Sequence, residues 1–297
     1  MADPRPMRFE FGKNWQRFVR RNVTPERCDI ARNHILAFAG RESLQGVDFL
    51  DIGCGSGLHS LAAHEAGAGR IFSFDCDANS VAATATLRAR AGNPANWHVE
   101  RGDVLDLDYI AALGKWNFVY SWGVLHHTGN VRQAIRNAQS AVADGGTFYV
   151  ALYSSDVAPA EVREFWLKKK QEYNLSGAVK RNYLVWWYIW VYMMQRDVKA
   201  LPSFLRRAAA HKLTRGMNIF ADIRDWLGGW PMEYTFDQEV VGLLEQEHGF
   251  RLVNVATGEA CTEFLFRRTG RPARETLVAE MVAAKKAAGS AEPATAA

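Results

Sequence analysis

A glycine-rich segment follows the first apolar run of the sequence. The residues FLDIGCGSGLHS occupy positions 49–60, with glycine at Gly53, Gly55 and Gly57. Glycine permits a tight turn and lets a ligand approach the backbone N–H groups at the start of a helix, where a nucleotide or a carboxylate binds. A dinucleotide site would need its third glycine at the position of Leu58, so the spacing argues against NAD. We predict a nucleotide-like or carboxylate-bearing ligand at this turn.

Acidic residues lie beside the first three apolar runs. Asp51 precedes the glycines, Asp75 ends the run RIFSFD at 70–75, and Asp103 ends WHVERGD at 97–103. Each acid alone also suits a turn or a helix cap. Together they favour a ligand site, because the strands of an open parallel sheet bind ligands at their carboxyl ends, where an acid can accept hydrogen bonds from ribose hydroxyls.

Two histidines follow the fourth apolar run, FVYSW at 118–122. His126 and His127 stand in the segment SWGVLHHTGN. A histidine titrates near neutral pH and suits the removal of a proton from a hydroxyl group. A packing or capping role is equally consistent with the sequence, and the spacing does not distinguish between the two histidines.

Short apolar runs alternate with helical segments, which is typical of βαβ units and a parallel sheet. Two later runs, 251–257 and 262–268, resemble a hairpin. The pattern predicts an α/β fold with a doubly wound, mostly parallel sheet. The first five runs occupy 47–52, 70–75, 97–103, 118–122 and 147–153.

Capping signals predict where several helices begin and end. Thr24 is placed to cap a helix that ends at Gly40, and Asn130 is placed to cap the helix after the histidines. Thr235 and Gln238 have the spacing of a capping box.

The chain divides into five parts on these patterns. An interruption of nearly 80 residues in the strand–helix alternation predicts an inserted helical cap on the substrate side. The predicted parts are an N-terminal helical lid (1–44), a Rossmann-like cofactor-binding core (45–153), the cap (154–234), the C-terminal part of the core sheet (235–269) and a disordered tail (270–297).

The glycine segment with its preceding acid resembles motif I of class I S-adenosylmethionine (SAM)-dependent methyltransferases. This resemblance implies a seven-stranded Rossmann-like sheet and SAM as the cofactor. It also implies that Asp75 holds the ribose, that Asp103 contacts the adenine amino group, and that Cys76 and Val104 flank the adenine. The remaining implied cofactor contacts are Asp51, Gly53, Cys54, Gly55, Ser56, Gly57, Ser121 and Trp122.

A wider resemblance links the start of the chain to its later part. The segments FxFGxNW, LHHTG and DWLGG-aromatic-P together look like a bacterial group of methyltransferases. This resemblance implies that Phe11 and Trp15 close over the cofactor.

The inserted segment carries the aromatic run YLVWWYIWVYMM at 183–194. At helical spacing, Tyr183, Trp187, Trp190 and Met194 share one face. Three interpretations stay open: packing in the cap or in a homodimer, an aromatic lid over an acceptor, and contact with a membrane surface. We include Tyr183, Trp187 and Trp190 among the candidate substrate residues, together with the acid Asp225.

Composition excludes several classes of protein. With 48% hydrophobic and 23% charged residues the chain suits a globular fold, and its net charge of +4 permits an anionic partner without requiring one. The four cysteines lack zinc-site spacing, so no metal is expected. The longest apolar run has twelve residues, against roughly 20 needed to span a bilayer, and no secretory signal is evident. We therefore expect a cytoplasmic protein without a transmembrane segment.

These observations predict an enzyme that methylates a small-molecule acceptor, which is either apolar or anionic. O-methylation is the first expectation, followed by N- or C-methylation. Two alternatives stay open: a methyltransferase acting on RNA or another nucleic acid through basic patches, and a non-catalytic protein that binds the cofactor. Nucleic acid is the less favoured acceptor, because no Asn-Pro-Pro-Tyr-like segment follows the fourth strand.

Overall fold

The structure is a computed structural model that describes residues 9–214, 219–258 and 260–270. Apart from Gly270, the tail predicted at 270–297 lies outside the described residues, as do the first eight residues of the predicted lid.

Seven strands form one mixed sheet. Their bounds are β1 Phe49–Ile52, β2 Ile71–Asp75, β3 Trp97–Arg101, β4 Trp116–Trp122, β5 Val142–Tyr153, β6 Phe250–Thr257 and β7 Cys261–Arg268. The strand order is β3-β2-β1-β4-β5-β7-β6. The first five strands are parallel, and β7 runs antiparallel to both β5 and β6. The predicted α/β fold class, with its mostly parallel seven-stranded sheet, is confirmed.

Helices cover both faces of the sheet and build the cap. Their bounds are α1 Gly12–Asn22, α2 Pro25–Ala39, α3 Leu58–Glu65, α4 Ala78–Arg90, α5 Leu107–Ala112, α6 Val131–Ser140, α7 Ala160–Leu175, α8 Ala178–Tyr188, α9 Leu201–Thr214, α10 Ile219–Gly228 and α11 Asp237–Gly242. Short 3₁₀ turns occupy Leu125–His127, Ser155–Val157 and Val198–Ala200, and π turns occupy Ile189–Met193 and Leu243–Glu247.

The strands contribute side chains to two separate hydrophobic cores, because successive side chains point to opposite faces of the sheet. Leu50 and Phe148 belong to the core that includes residues of α6 and α11. Phe49 and Tyr120 belong to the opposite core, which includes residues of α2 and α3. Because helices cover both faces of the sheet, a ligand can reach the backbone and the loops mainly at the carboxyl edge of the parallel strands.

The cap has a third core of its own. Leu184, Ile189, Phe204 and Leu227 are all buried there, and they come from α8, the π turn after it, α9 and α10. The inserted segment therefore folds as a helical layer with its own apolar interior.

The capping signals have mixed outcomes. Gly40 ends α2 with φ +62°, and the Asn130 side chain accepts a hydrogen bond from the backbone N–H of Gln133 at 3.2 Å, as predicted. Thr24 precedes α2 with extended backbone but makes no capping hydrogen bond. The prediction of a capping box at Thr235 is wrong, because α11 begins two residues later, at Asp237. Thr235 instead donates its N–H to the Tyr153 carbonyl at 3.0 Å.

Candidate active site

The glycine segment forms a tight bend between β1 and α3. Gly53, Gly55 and Gly57 have φ values of +76°, +54° and +80°, a backbone region that glycine adopts without steric cost. The N–H groups of Gly53 and Cys54 both donate to the Phe74 carbonyl, at 2.9 and 3.0 Å. The bend is therefore held against β2 by its backbone.

Asp75 joins the end of β2 directly to this bend. One carboxylate oxygen accepts the Gly55 N–H at 3.1 Å, and the other accepts the Asp77 N–H at 2.9 Å. Burial raises the pKa of Asp75 to about 6, against the lowering effect of these two hydrogen bonds. The acid and the glycine that the sequence predicted to meet do so, at the carboxyl edge of the sheet.

Asp51 lies deeper, between β1 and α3. Its carboxylate accepts a hydrogen bond from the Ser60 hydroxyl at 2.5 Å, and Ser60 in turn contacts the Ser73 hydroxyl at 2.7 Å. Burial is the main cause that raises the pKa of Asp51 to about 7. The contacts of Asp51 thus anchor the first turns of α3 to the sheet beneath the glycine bend.

The loop after β3 lies next to Asp75. The Gly102 N–H donates to the Asp75 carbonyl at 3.1 Å, and the Asp103 carboxylate accepts the Leu105 N–H at 3.0 Å. Val104 is buried, whereas Cys76 is half-buried. The three strand ends that the resemblance assigns to the cofactor are therefore neighbours.

Four other predicted cofactor residues make side-chain contacts within the protein or are buried. The Cys54 sulfur accepts a hydrogen bond from the Thr84 hydroxyl at 3.3 Å and so faces α4. Ser56 is buried. The Ser121 hydroxyl donates to the Ile52 carbonyl at 3.1 Å. The Trp122 side chain, 41% exposed, hydrogen-bonds the Glu263 carboxylate on β7.

Residues 9–15, the N-terminal segment, span the site from the sheet to the cap. The Gly12 N–H donates to the Asp77 carboxylate at 2.8 Å, beside α4. The Trp15 indole nitrogen lies 3.2 Å from where a Cβ would stand on Gly55. At the other end, the Phe9 N–H donates to the Trp230 carbonyl of the cap at 2.8 Å.

The two histidines differ in which ring nitrogen carries the proton. His127 Nδ1 lies 2.7 Å from the Pro231 carbonyl, which can only accept, so this nitrogen carries the proton and Nε2 keeps its lone pair. His126 Nδ1 accepts the Tyr153 N–H at 3.2 Å, so its proton is on Nε2. Burial lowers the pKa of His127 to about 4 and that of His126 well below its usual range. Both rings are therefore neutral at pH 7 and do not titrate near neutral pH as the sequence suggested, and His127 is the one of the two whose Nε2 keeps its lone pair.

A cavity of about 190 Å³ lies between β5 and the cap, and Tyr153 links it to the two histidines, which do not line it themselves. The Tyr153 ring forms one wall, and its centroid lies 4.1 Å from that of His126 and 5.7 Å from that of His127. The Trp226 indole N–H is buried and has no hydrogen-bond partner among the described residues. The lining is mostly apolar and consists of Tyr153, Ser154, Val157, Ala158, Val162, Trp166, Trp226, Met232, Tyr234 and Ala260.

A buried lysine, which the sequence reasoning missed, supports this cavity. Lys170 is 1% exposed, donates to the Trp226 carbonyl, and lies 4.0 Å from the centroid of the Trp226 ring. Loss of hydration lowers its pKa to about 7. Its neighbour Asn174 donates to the Gly228 carbonyl at 2.8 Å, so α7 caps the end of α10. Spacing offered one weak signal, because Lys170, Tyr173 and Asn174 share the buried face of α7.

The predicted substrate residues separate into two groups. Asp225 lies at the site: it accepts a hydrogen bond from the Asn14 side chain of the N-terminal segment, and burial raises its pKa to about 7. Tyr183 and Trp190 are 63% and 39% exposed, and the Trp187 ring packs on Phe165 of the cap.

The aromatic residues predicted to share one helical face do not all do so. Met194 is buried, whereas Tyr183, Trp187 and Trp190 are wholly or partly exposed. The π turn after α8 adds a residue to the last turn and so changes the angular position of the residues beyond it.

The described residues include no cluster of His, Cys, Asp or Glu that could hold a metal ion. Within the same part of the chain, no helix has the length and apolarity needed to cross a membrane.

The sheet order, the glycine bend and the acids at successive strand ends define a class I SAM-dependent methyltransferase. Residues 16–213 match the family described as "Methyltransferase domain". Because the match covers more than half of the chain, the protein belongs to this methyltransferase family. Among curated protein sequences, no significant match was found.

Solved structures with this fold include magnesium protoporphyrin IX methyltransferase from Synechocystis PCC 6803 with bound SAH (12% identity, TM-score 0.51, 86% of this chain and 94% of that chain). An O-methyltransferase family protein from Burkholderia thailandensis is similar at 13% identity and a TM-score of 0.53, over 88% of this chain and 59% of that chain. A putative SAM-dependent methyltransferase from Methanococcus maripaludis is similar at 14% identity and a TM-score of 0.50, over 92% and 99% of the two chains.

The residues at the carboxyl edge fit SAM. Gly55 provides a bend without a side chain, and Asp75 provides a carboxylate suited to two hydroxyl groups, with Asp103 on the adjacent loop. These residues would hold the adenosyl part, and the covering Trp15 would limit access of water. When bound, SAM supplies an electrophilic methyl group on a sulfonium centre.

Proposed function

We propose that this enzyme transfers a methyl group to an oxygen atom of a small, largely apolar acceptor that binds in the cavity beside Tyr153. The observation that carries this proposal is the shared wall: the Tyr153 ring contacts both the cavity and His127. An acceptor in the cavity would therefore lie across the Tyr153 ring from His127, whose Nε2 keeps its lone pair.

His127 acts in this proposal as the general base. Its Nε2 would take the proton of the acceptor hydroxyl, so that the O–H bond breaks and an N–H bond forms as the oxygen gains the methyl group. Bound SAM would supply that methyl group through cleavage of its S–CH3 bond, and SAH would leave. The Pro231 carbonyl, 2.7 Å from Nδ1, fixes the ring orientation and stabilises the imidazolium that forms. The proton then passes to solvent.

The surrounding rings would position the acceptor and keep water out. In-line displacement depends chiefly on alignment of the reacting atoms, and a closed apolar site favours it. Phe11, with its ring centroid 5.4 Å from that of His127, closes the side facing the N-terminal segment.

The apolar lining favours this acceptor class over a nucleic acid. A groove for a polynucleotide would be wide and basic, whereas the cavity has apolar and aromatic walls. An acceptor that is already nucleophilic, such as a neutral amine or a carbanion, needs no base, whereas a hydroxyl group gains most from one, which is why oxygen is the proposed acceptor atom.

The test measures SAH formation with a panel of hydroxylated aromatic compounds, and separately with total RNA. Val162→Trp, which fills the cavity, should lower turnover by about 100-fold through misplacement of the acceptor. The matched control is Val253→Trp on β6, where the side chain is 56% exposed and outside the cavity. Methyl transfer to RNA alone, or equal turnover of the two variants, would contradict the proposal. SAM binding without turnover of any acceptor would also contradict it and would indicate a protein that only binds the cofactor.

A further inference from the structure

An apolar stripe runs along the solvent side of α8 and its continuation. Val179, Tyr183, Trp186 and Trp190 are 88%, 63%, 59% and 39% exposed. Their spacings of four, three and four residues place them on one face of a helix. This exposed stripe is separate from the packing face of the same segment, which consists of Leu184, Val185 and Ile189.

The stripe is unusual because helices normally turn apolar side chains inward. Contiguous exposed apolar surface on a soluble domain marks a place of interaction. Two tryptophans and one tyrosine dominate it, and these rings combine an apolar body with a polar N–H or O–H. The chemistry therefore suits a surface that is apolar inside and polar at its edge.

The helices around the stripe hold the excess positive charge of the chain. Residues 160–214, from α7 to α9, contain eleven Lys and Arg and four Asp and Glu, a net charge of +7. The whole chain has a net charge of +4, so the remainder is net negative. Lys199 and Arg206 are among the exposed cations of this region.

We propose that the exposed stripe and its basic surroundings dock on an anionic phospholipid surface. Tryptophan and tyrosine rings sit at the level of lipid headgroups, and lysine and arginine side chains are attracted by anionic lipids. The protein lies on this surface with α8 along the headgroup plane.

Charge also argues against a second copy of the chain as the occupant. A two-fold interface would set the same predominantly basic surface against itself. Like charges across an interface oppose association, whereas an anionic membrane neutralises them.

The experiment is sedimentation of the full chain with vesicles of phosphatidylcholine alone and of phosphatidylcholine mixed with phosphatidylglycerol. We expect binding to the anionic vesicles to be about tenfold tighter or more, and to weaken as salt is added. Replacing Trp186 and Trp190 together by serine should abolish the tight binding. The matched control replaces Ile30 and Leu107 by serine, since these side chains are 68% and 52% exposed outside the cap.

A charge reversal tests the electrostatic part separately. Arg206→Glu should weaken binding to anionic vesicles by about tenfold, whereas Arg251→Glu on β6 should not. Thermal unfolding of each variant checks that the fold is retained. The proposal fails if the wild type does not sediment with anionic vesicles, if both vesicle types bind equally, or if light scattering shows a dimer that the tryptophan variant dissociates.

Discussion

The two walls of the candidate active site are held in different ways. On the sheet side, backbone groups meet backbone groups, as where the Gly53 and Cys54 N–H groups donate to the Phe74 carbonyl. On the cap side, single side chains hold backbone carbonyls, as where His127 contacts Pro231 and Lys170 contacts Trp226. Substitutions in the sheet wall should therefore disturb the site mainly at its glycines and acids. In the cap wall, the geometry depends on individual polar side chains, so substitution of any of them should disturb it.

The largest effect is expected at the glycine bend. Gly55→Val should abolish measurable SAM binding in calorimetry, because the new side chain takes the space beneath Trp15 at a position with φ +54°. Gly40→Val is the control: it has φ +62° but open space around its Cβ. Both variants carry the left-handed penalty of about 1–2 kcal/mol, so unaltered SAM affinity in Gly55→Val would remove the cofactor site from this bend.

The next effect separates the two histidines. His127→Ala should lower turnover by about 100- to 10,000-fold with SAM affinity unchanged, because the proposed general base is lost. Turnover of the wild type should also fall as the pH approaches the pKa of His127, about 4, where its free nitrogen becomes protonated.

His126→Ala gives the matched comparison. It removes the His126 acceptor of the half-buried Tyr153 N–H, which should cost about 1 kcal/mol of unfolding free energy. Turnover per folded molecule should change little. A larger loss of turnover in His126→Ala than in His127→Ala would reverse the assignment of the base.

A smaller effect is expected at Asp75. Asp75→Ala should weaken SAM binding by about 1.5–3 kcal/mol, measured by calorimetry, since charged hydrogen bonds to the ribose are lost. Asp48→Ala is the control, because its carboxylate also accepts a backbone N–H, that of Arg70 at 3.1 Å, but at the opposite edge of the sheet. Equal affinities of the two variants would contradict the ribose assignment.

The smallest effect concerns the cap wall and pH. Because burial raises the pKa of Asp225 to about 7, the folded state binds more protons than the unfolded state between about pH 4 and 7, and the stability from this group falls as pH rises. Asp225→Asn should therefore gain about 1–2 kcal/mol relative to wild type between about pH 5 and 8, in denaturant titrations without cofactor. Asp144→Asn, with a side chain 91% exposed, is the control. A gain of the same size there would mean that burial of Asp225 is not the cause.

The sheet wall was largely predictable from the sequence. Turns with positive φ are marked in the sequence by glycine. The alternation of strands and helices determines which strand ends lie side by side. Gly55 and Asp75, 20 residues apart, are joined for this reason by a hydrogen bond of 3.1 Å.

The cap wall was less predictable, because its geometry depends on packing between helices. Lys170 follows two other lysines, a pattern typical of a solvated face, yet it is 1% exposed. The predicted aromatic face ended at the π turn, which has no sequence signature. Tyr153 ends β5 without any spacing that would mark it as a cavity wall.

The N-terminal segment touches both walls at once, through Trp15 at the glycine bend and Phe9 at Trp230. A ligand that binds beneath the N-terminal segment, and only when the segment contacts both walls, must also stabilise the contact of Phe9 with the cap. Adding SAM alone should thus slow amide hydrogen exchange in α10, although that helix lies outside the sheet that carries the proposed cofactor-binding turn.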